Sequence, residues 1–127
     1  MNLQELKDTG EAPGWYEEKG YKTVCGGYLL PNETPKGMYR RVAKSTSSYA
    51  KRPDLEEPFF QIMWQGLLGP ATPVLCNIGT DRGLGISCFI VEAQDSIDNI
   101  FKTAHEVAVM SKSGGGVGIV LDNLRPR

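Results

Sequence analysis

The stretch Ile86-Ser87-Cys88-Phe89-Ile90-Val91-Glu92, followed by Asp95-Ser96-Ile97-Asp98 and closed by Ser111-Lys112-Ser113-Gly114-Gly115-Gly116-Val117-Gly118-Ile119-Val120-Leu121, decides the fold of this chain. Its first and last pieces contain short apolar runs bounded by turn residues, the pattern of buried strands. Between them Ile97, Ile100, Phe101, Ala104, Val107, Ala108 and Met110 recur at helical spacing and predict a helix with a wide buried face, reaching about Lys112. Asp95-Ser96 supplies the N-cap, and Gly114, Gly115 and Gly116 stop the helix. Strand, helix, glycine-rich turn and strand make a βαβ unit.

Upstream, Pro73-Val74-Leu75-Cys76-Asn77 reads as a further short buried strand. Pro53-Asp54-Leu55-Glu56-Glu57 reads as a helix start, with Asp54 as cap and acidic residues at the positive end of the helix dipole. Phe59, Phe60, Met63, Trp64 and Leu67 then form an aromatic stripe whose ordinary role is core packing, and Leu67-Leu68-Gly69-Pro70 ends that helix. Thr34 as N-cap and Pro35 at the first helical position open another helix, with Met38, Val42 and Ala43 on its apolar face and an end near Ala50. Residues 1–35 are expected to be irregular, with short strands at Tyr21-Lys22-Thr23-Val24-Cys25 and Tyr28-Leu29-Leu30 around a bend at Gly26-Gly27.

Composition narrows the function classes. With 127 residues, 40% hydrophobic and 23% charged, the chain has the makeup of one small globular domain or a piece of a larger one. A net charge of -1 gives no basic excess, so nothing points to nucleic acid. There is no apolar run long enough to span a bilayer and no basic-then-apolar leader, so a cytoplasmic protein without a membrane role is expected. Three cysteines at wide spacing, Cys25, Cys76 and Cys88, fit neither a disulfide framework nor a zinc site. The lone His105 has no metal-type residue at i+3 or i+4 and reads as a solvated or hydrogen-bonded side chain. A lone βαβ unit cannot complete a parallel sheet, so the sequence is expected to be part of something larger.

A glycine-rich loop alone is a weak signal. Here, however, Pro70-Ala71-Thr72-Pro73-Val74-Leu75-Cys76-Asn77 runs into Asp81-Arg82-Gly83-Leu84-Gly85-Ile86-Ser87-Cys88-Phe89 and leads through one helix to Ser111-Lys112-Ser113-Gly114-Gly115-Gly116-Val117-Gly118-Ile119. In order and spacing this resembles the start of the catalytic barrel of a ribonucleotide reductase large subunit. The resemblance is strongest over residues 58–127 and looser over residues 14–57, where Gly27-Tyr28-Leu29-Leu30-Pro31-Asn32-Glu33-Thr34-Pro35 resembles phage and bacterial large subunits. It implies an α/β fold: a mainly helical N-terminal region over residues 1–70, then over residues 71–127 the first βαβ elements of an incomplete ten-stranded α/β barrel. No ATP-binding cone domain is expected.

Reducing a ribose 2′-hydroxyl takes two electrons, which two thiols supply by closing to a disulfide. The resemblance makes Cys88 one of those thiols, its partner lying on a later strand outside this chain; taken alone, Cys88 also reads as a small buried hydrophobe. It further implies substrate contacts at Thr72, sixteen positions before Cys88, and at Ser87, Cys88 and Gly116. Close approach to backbone amides suits the glycine run, although a plain C-cap turn accounts for Gly114 and Gly115. Asp95, Ser96 and Arg125 are implied in binding a deoxynucleoside triphosphate effector; Asp95-Ser96 is equally the N-cap of its helix, and a guanidinium at Arg125 suits a triphosphate. Cys25 and Cys76 are expected to be structural.

The function so implied is that of the N-terminal portion of a ribonucleoside-diphosphate reductase large subunit, inactive alone. This segment is expected to bind no cofactor, the radical coming from a metal-containing small subunit. The implied partners are the remaining C-terminal part of the large subunit, that radical-generating subunit, a thioredoxin- or glutaredoxin-type reductant and a second copy of the complete subunit. Two alternatives stand beside it: a fragment of a cobalamin-dependent reductase, which uses adenosylcobalamin, and a non-catalytic nucleotide-binding or assembly remnant.

Overall fold

In the computed structural model, which describes residues 2–126, the chain divides into two compact units between Gly85 and Ile86. The first is helical. Asn2 caps α1 (Leu3–Asp8): its side chain accepts from the Glu5 amide at 2.8 Å, while the Asn2 amide donates to the Glu5 carboxylate at 3.0 Å. Leu3 and Leu6 are thereby buried.

Tyr21-Lys22-Thr23-Val24-Cys25, expected as a strand, lies instead in a second helix, α2 (Glu18–Cys25). Tyr21, Val24 and Tyr28 stand at i, i+3 and i+7, a helical rather than alternating pattern, and all three pack against the core. That packing outweighs the strand preference of Tyr21, Thr23 and Val24. Beyond the helix end the Tyr28 amide donates to the Val24 carbonyl at 3.0 Å, so Tyr28 lies in a turn and Tyr28-Leu29-Leu30 is not a strand.

α3 (Pro35–Tyr49) begins where its cap chemistry predicts: Thr34 Oγ1 accepts from the Gly37 amide at 3.1 Å, Pro35 takes the first turn, and Ala50 is the C-cap. Met38, Tyr39, Val42, Ala43 and Ser47 are its buried face. α4 (Glu56–Trp64) packs on it through Phe60 and Met63, which are buried. Asp54 is not its cap. It lies in a 3-10 turn, Pro53–Leu55, and pairs with Arg52 at 2.6 Å; Leu55 is the N-cap residue. The helix ends at Trp64, and Gly66 at φ +74 turns the chain, so Leu67 falls outside the stripe and is 75% exposed.

Pro73-Val74-Leu75-Cys76-Asn77, expected as a strand, is the body of a short helix, α5 (Thr72–Asn77). Pro73 suits an early helical position, Leu75 is buried, and the Arg41 guanidinium binds the Leu75 carbonyl at 3.1 Å and the Ile78 carbonyl beside it. Because α5 packs on α3, the helical unit runs to Gly85 instead of ending at residue 70.

The second unit is the βαβ element. β1 (Cys88–Glu92) and β2 (Gly116–Val120) pair in parallel, joined by α6 (Ile97–Lys112), which packs on both strands. The wide buried face expected of α6 is absent in this chain: Thr103 is buried, whereas Ile97 and Phe101 are 70% and 69% exposed. Two strands offer less surface than the helix's apolar stripe could cover. Among the described residues no helix is long and apolar enough to cross a membrane.

Candidate functional site

The strand pair has two unlike faces. Phe89 and Val91 occupy the packed one, with Val91 buried. Cys88, Ile90 and Glu92 alternate onto the other, where all three are exposed, Ile90 at 80%. In the parallel register Cys88 lies opposite Gly116 and Ile90 opposite Gly118. The neighbouring strand therefore sets no side chain beside the Cys88 thiol. Cys88 is accordingly an exposed free thiol and not the buried hydrophobe that its isolated reading allows.

Ser87 and Gly116 close the start of the ladder. The Gly116 amide donates to the Ser87 carbonyl at 2.7 Å, and Ser87 Oγ lies 3.9 Å from Cys88 Sγ. Three of the four residues predicted to touch substrate, Ser87, Cys88 and Gly116, thus meet at one end of the strand pair.

The three consecutive glycines answer three different demands. Gly114 follows the C-cap of α6 at φ +86, a conformation that L side chains resist. Gly115 has no room: a Cβ there would meet the Phe89 ring at 2.4 and 2.7 Å. Gly116 has room, since the nearest atom to its Cβ would be the Ser87 carbonyl oxygen at 3.6 Å, an ordinary contact. Packing within the fold explains the first two glycines and leaves the third unexplained.

At the carboxyl ends of the strands, about 13 Å along from Cys88 by four residue steps, stand the residues predicted to bind an effector. Arg125 Nε lies 3.2 Å from Asp95 Oδ2. The cap of α6 is Ser96 and not Asp95: Ser96 Oγ accepts from the Asn99 amide at 3.2 Å and from its side chain at 2.8 Å. Asp95, one residue outside the helix, is left to hold the guanidinium. Asn123 also binds the Glu92 carboxylate here.

Thr72 belongs to the helical unit. It is exposed at the start of α5, and its Oγ1 lies 2.8 Å from the Tyr28 phenol oxygen. Sequence reasoning gave Tyr28 no role, because the pairing spans forty-four residues and no local pattern encodes it. It also missed Arg41, whose nearly buried guanidinium grips Glu33 at 2.8 Å while holding the carbonyls of α5. Cys76 is half-buried, and burial pushes its thiol above the ordinary range against the opposing pull of Arg82 and Arg41. Cys25 is exposed, as is His105.

Comparison with known proteins covers both units. Residues 15–83 match the family model described as ribonucleotide reductase, all-alpha domain, and residues 86–127 match ribonucleotide reductase, barrel domain. The chain is 38% identical over 123 residues to the ribonucleoside-diphosphate reductase large subunit of Trypanosoma brucei brucei, a match over 87% of this chain and 14% of that protein. It is 42% identical over 57 residues to a vitamin B12-dependent ribonucleoside-diphosphate reductase of Mycobacterium tuberculosis, over 45% of this chain and 8% of that protein. Among solved structures, the Actinobacillus ureae class Id ribonucleotide reductase alpha subunit superposes with a TM-score of 0.82 at 34% identity, covering 90% of this chain and 22% of that one. The chain thus spans only about a seventh of the length of the curated relatives it matches.

Proposed function

The chain belongs to the ribonucleotide reductase large-subunit family, and from that membership we propose that it supplies the first wall of the substrate cavity of a ribonucleoside-diphosphate reductase. In this reading Cys88 is one of two reducing thiols, and its partner comes from the remainder of the large subunit. The two thiols give up two electrons and two protons as their S–S bond forms, the ribose 2′-hydroxyl leaves as water, and a hydrogen takes its place on C2′. A thioredoxin- or glutaredoxin-type dithiol then reduces the disulfide by exchange. Ser87, Gly116 and Thr72 hold the substrate. Asp95, Ser96 and Arg125 hold a deoxynucleoside triphosphate effector.

The observation that carries the reading is the exposed Cys88 thiol beside Gly116, a glycine that packing within the fold does not require. A chain selected only to pack would gain by a side chain at Gly116. The three free thiols also suit a reducing compartment such as the cytoplasm.

In this reading the radical that starts the reaction comes from a separate metal-containing small subunit, in keeping with the class Id alpha-subunit neighbour, and the complete subunit works as a homodimer. A second reading draws on the vitamin B12-dependent relative: the same wall would serve an enzyme whose radical comes from adenosylcobalamin. The test is multi-turnover deoxynucleotide formation by the full-length large subunit carrying Cys88→Ser. A hydroxyl cannot close a disulfide, so turnover is expected to disappear, while Cys25→Ser and Cys76→Ser retain it. Equal turnover by Cys88→Ser and the parent would overturn the assignment. Dependence on added adenosylcobalamin instead of a small subunit would favour the second reading.

A further inference from the structure

A threonine that opens a helix ordinarily uses its hydroxyl as a cap. Thr72 does not: Ala71 is the N-cap residue of α5, and no side-chain cap bond is made there. The Thr72 hydroxyl instead meets the phenol of Tyr28 at 2.8 Å. Tyr28 is held from several directions. Its amide donates to the Val24 carbonyl at 3.0 Å, its ring packs half-buried against the core, and the flanking carbonyls of Gly27 and Leu29 each lie 3.4 Å from the Arg82 guanidinium. Arg82 comes from the segment that follows α5, so the turn carrying Tyr28 and the segment carrying Thr72 are tied at two points. The phenol is a fixed group aimed at an exposed hydroxyl that caps nothing.

We propose that Tyr28 is a positioning residue for the substrate, its O–H donating to Thr72 Oγ1 so that the Thr72 O–H is turned outward as a donor to an anionic oxygen of the nucleotide. The proposal rests on the reading of Thr72 as a substrate contact. The direction follows from the inventory of protons: a phosphate oxygen only accepts, and Thr72 has a single hydroxyl proton to give. Thr72 can donate to the nucleotide only while Tyr28 is the donor in their mutual bond. That donation also polarises the outward O–H and strengthens it as a donor. Tyr28 need not touch the nucleotide for this to work.

The experiment is a double-mutant cycle in the full-length large subunit, assayed with its radical-generating partner for KM and kcat on a ribonucleoside diphosphate. Tyr28→Phe keeps the ring and its packing and removes only the donor. It is expected to raise KM by about three- to tenfold, the scale of one neutral hydrogen bond, with kcat within about twofold, the signature of lost binding common to ground and transition states. Thr72→Val is expected to raise KM at least as much. In the Thr72→Val background Tyr28→Phe should add nothing, because the hydroxyl it orients is gone. If Thr72→Val raises KM while Tyr28→Phe does not, or if the two effects multiply in full, the positioning role of Tyr28 is wrong. If Thr72→Val leaves KM unchanged, the substrate reading of Thr72 fails, and this proposal fails with it.

Discussion

Gly116 lies directly opposite Cys88 in the parallel ladder, and its amide closes that ladder on the Ser87 carbonyl at 2.7 Å. Neighbouring glycines in the same turn differ in the room they leave for a side chain, and this separates a packing requirement from the proposed ligand contact. Gly115→Ala forces a Cβ to within 2.4 Å of the Phe89 ring. It is expected to cost about 1–3 kcal/mol, the ordinary penalty of overpacking. Gly116→Ala meets nothing closer than 3.6 Å and should leave stability unchanged or raise it slightly. Its predicted cost is functional: at least a tenfold rise in KM for ribonucleotide in the full-length enzyme. Denaturant unfolding and steady-state kinetics on the two variants check this, and a Gly116→Ala enzyme with parental KM would remove Gly116 from the substrate site.

The cap of α6 and the partner of Arg125 are adjacent residues with separable roles. Ser96→Ala removes the acceptor for the Asn99 amide and is expected to destabilise the second unit by about 1 kcal/mol. Asp95→Asn leaves that cap intact and removes the charge that faces Arg125 at 3.2 Å. Since the pair is largely exposed, its loss should change stability little. In the full-length enzyme Asp95→Asn should instead alter which base is reduced in response to each deoxynucleoside triphosphate, with unstimulated turnover kept. Effector responses identical to those of the parent would reduce Asp95 to a residue beside a helix cap.

Legibility followed the range of the interactions involved. The βαβ unit and the starts of α3 and α6 depend on contacts within a few residues, such as Thr34 with Gly37 and Ser96 with Asn99, and short-range patterns in the sequence encode such contacts. Residues 21–25 and 73–77 read as strands because an apolar run of five residues is ambiguous between a buried strand and a buried helix. What settles α5 is Arg41, thirty-four residues before the Leu75 carbonyl it holds. The substrate candidates Ser87, Cys88 and Gly116 are legible as positions, but the placing of Cys88 opposite Gly116 comes only from the register. Tyr28 was illegible for the same reason as Arg41: its partner Thr72 is distant in sequence.

The three thiols should react in an order set by exposure, with burial also raising the Cys76 thiol. Cys25 and Cys88 are exposed, while Cys76 is half-buried with its thiol pushed upward by burial. A raised value means less thiolate at a given pH, and the thiolate is the reacting species. At pH 8, labelling of the purified chain by a maleimide or iodoacetamide, followed by peptide mass spectrometry, is expected to modify Cys25 and Cys88 at least several times faster than Cys76. The Cys76 rate should keep climbing past the pH at which an ordinary free thiol levels off. If Cys76 matched Cys88 in rate across pH 7–9, burial would not be governing its reactivity.

Protection against hydrogen exchange should divide the chain at the same place as its packing. Met38, Val42, Phe60 and Met63 are all within 3% of complete burial in the helical unit. The second unit has one two-stranded sheet, with Ile86, Ile90, Ile97 and Phe101 all more than half exposed. A sheet of two strands is marginal without further strands or covering helices, and each strand here keeps one unpaired edge among the described residues. In the purified chain the amides of β1, Phe89 to Val91, are therefore expected to exchange at least tenfold faster than those of α4 around Phe60, a gap of about 1.4 kcal/mol in opening free energy. Binding of the remainder of a large subunit should close that gap by completing the sheet. Equal protection of β1 and α4 in the chain alone would show that the strand pair is stable without neighbours, and the need for a completing partner would fall.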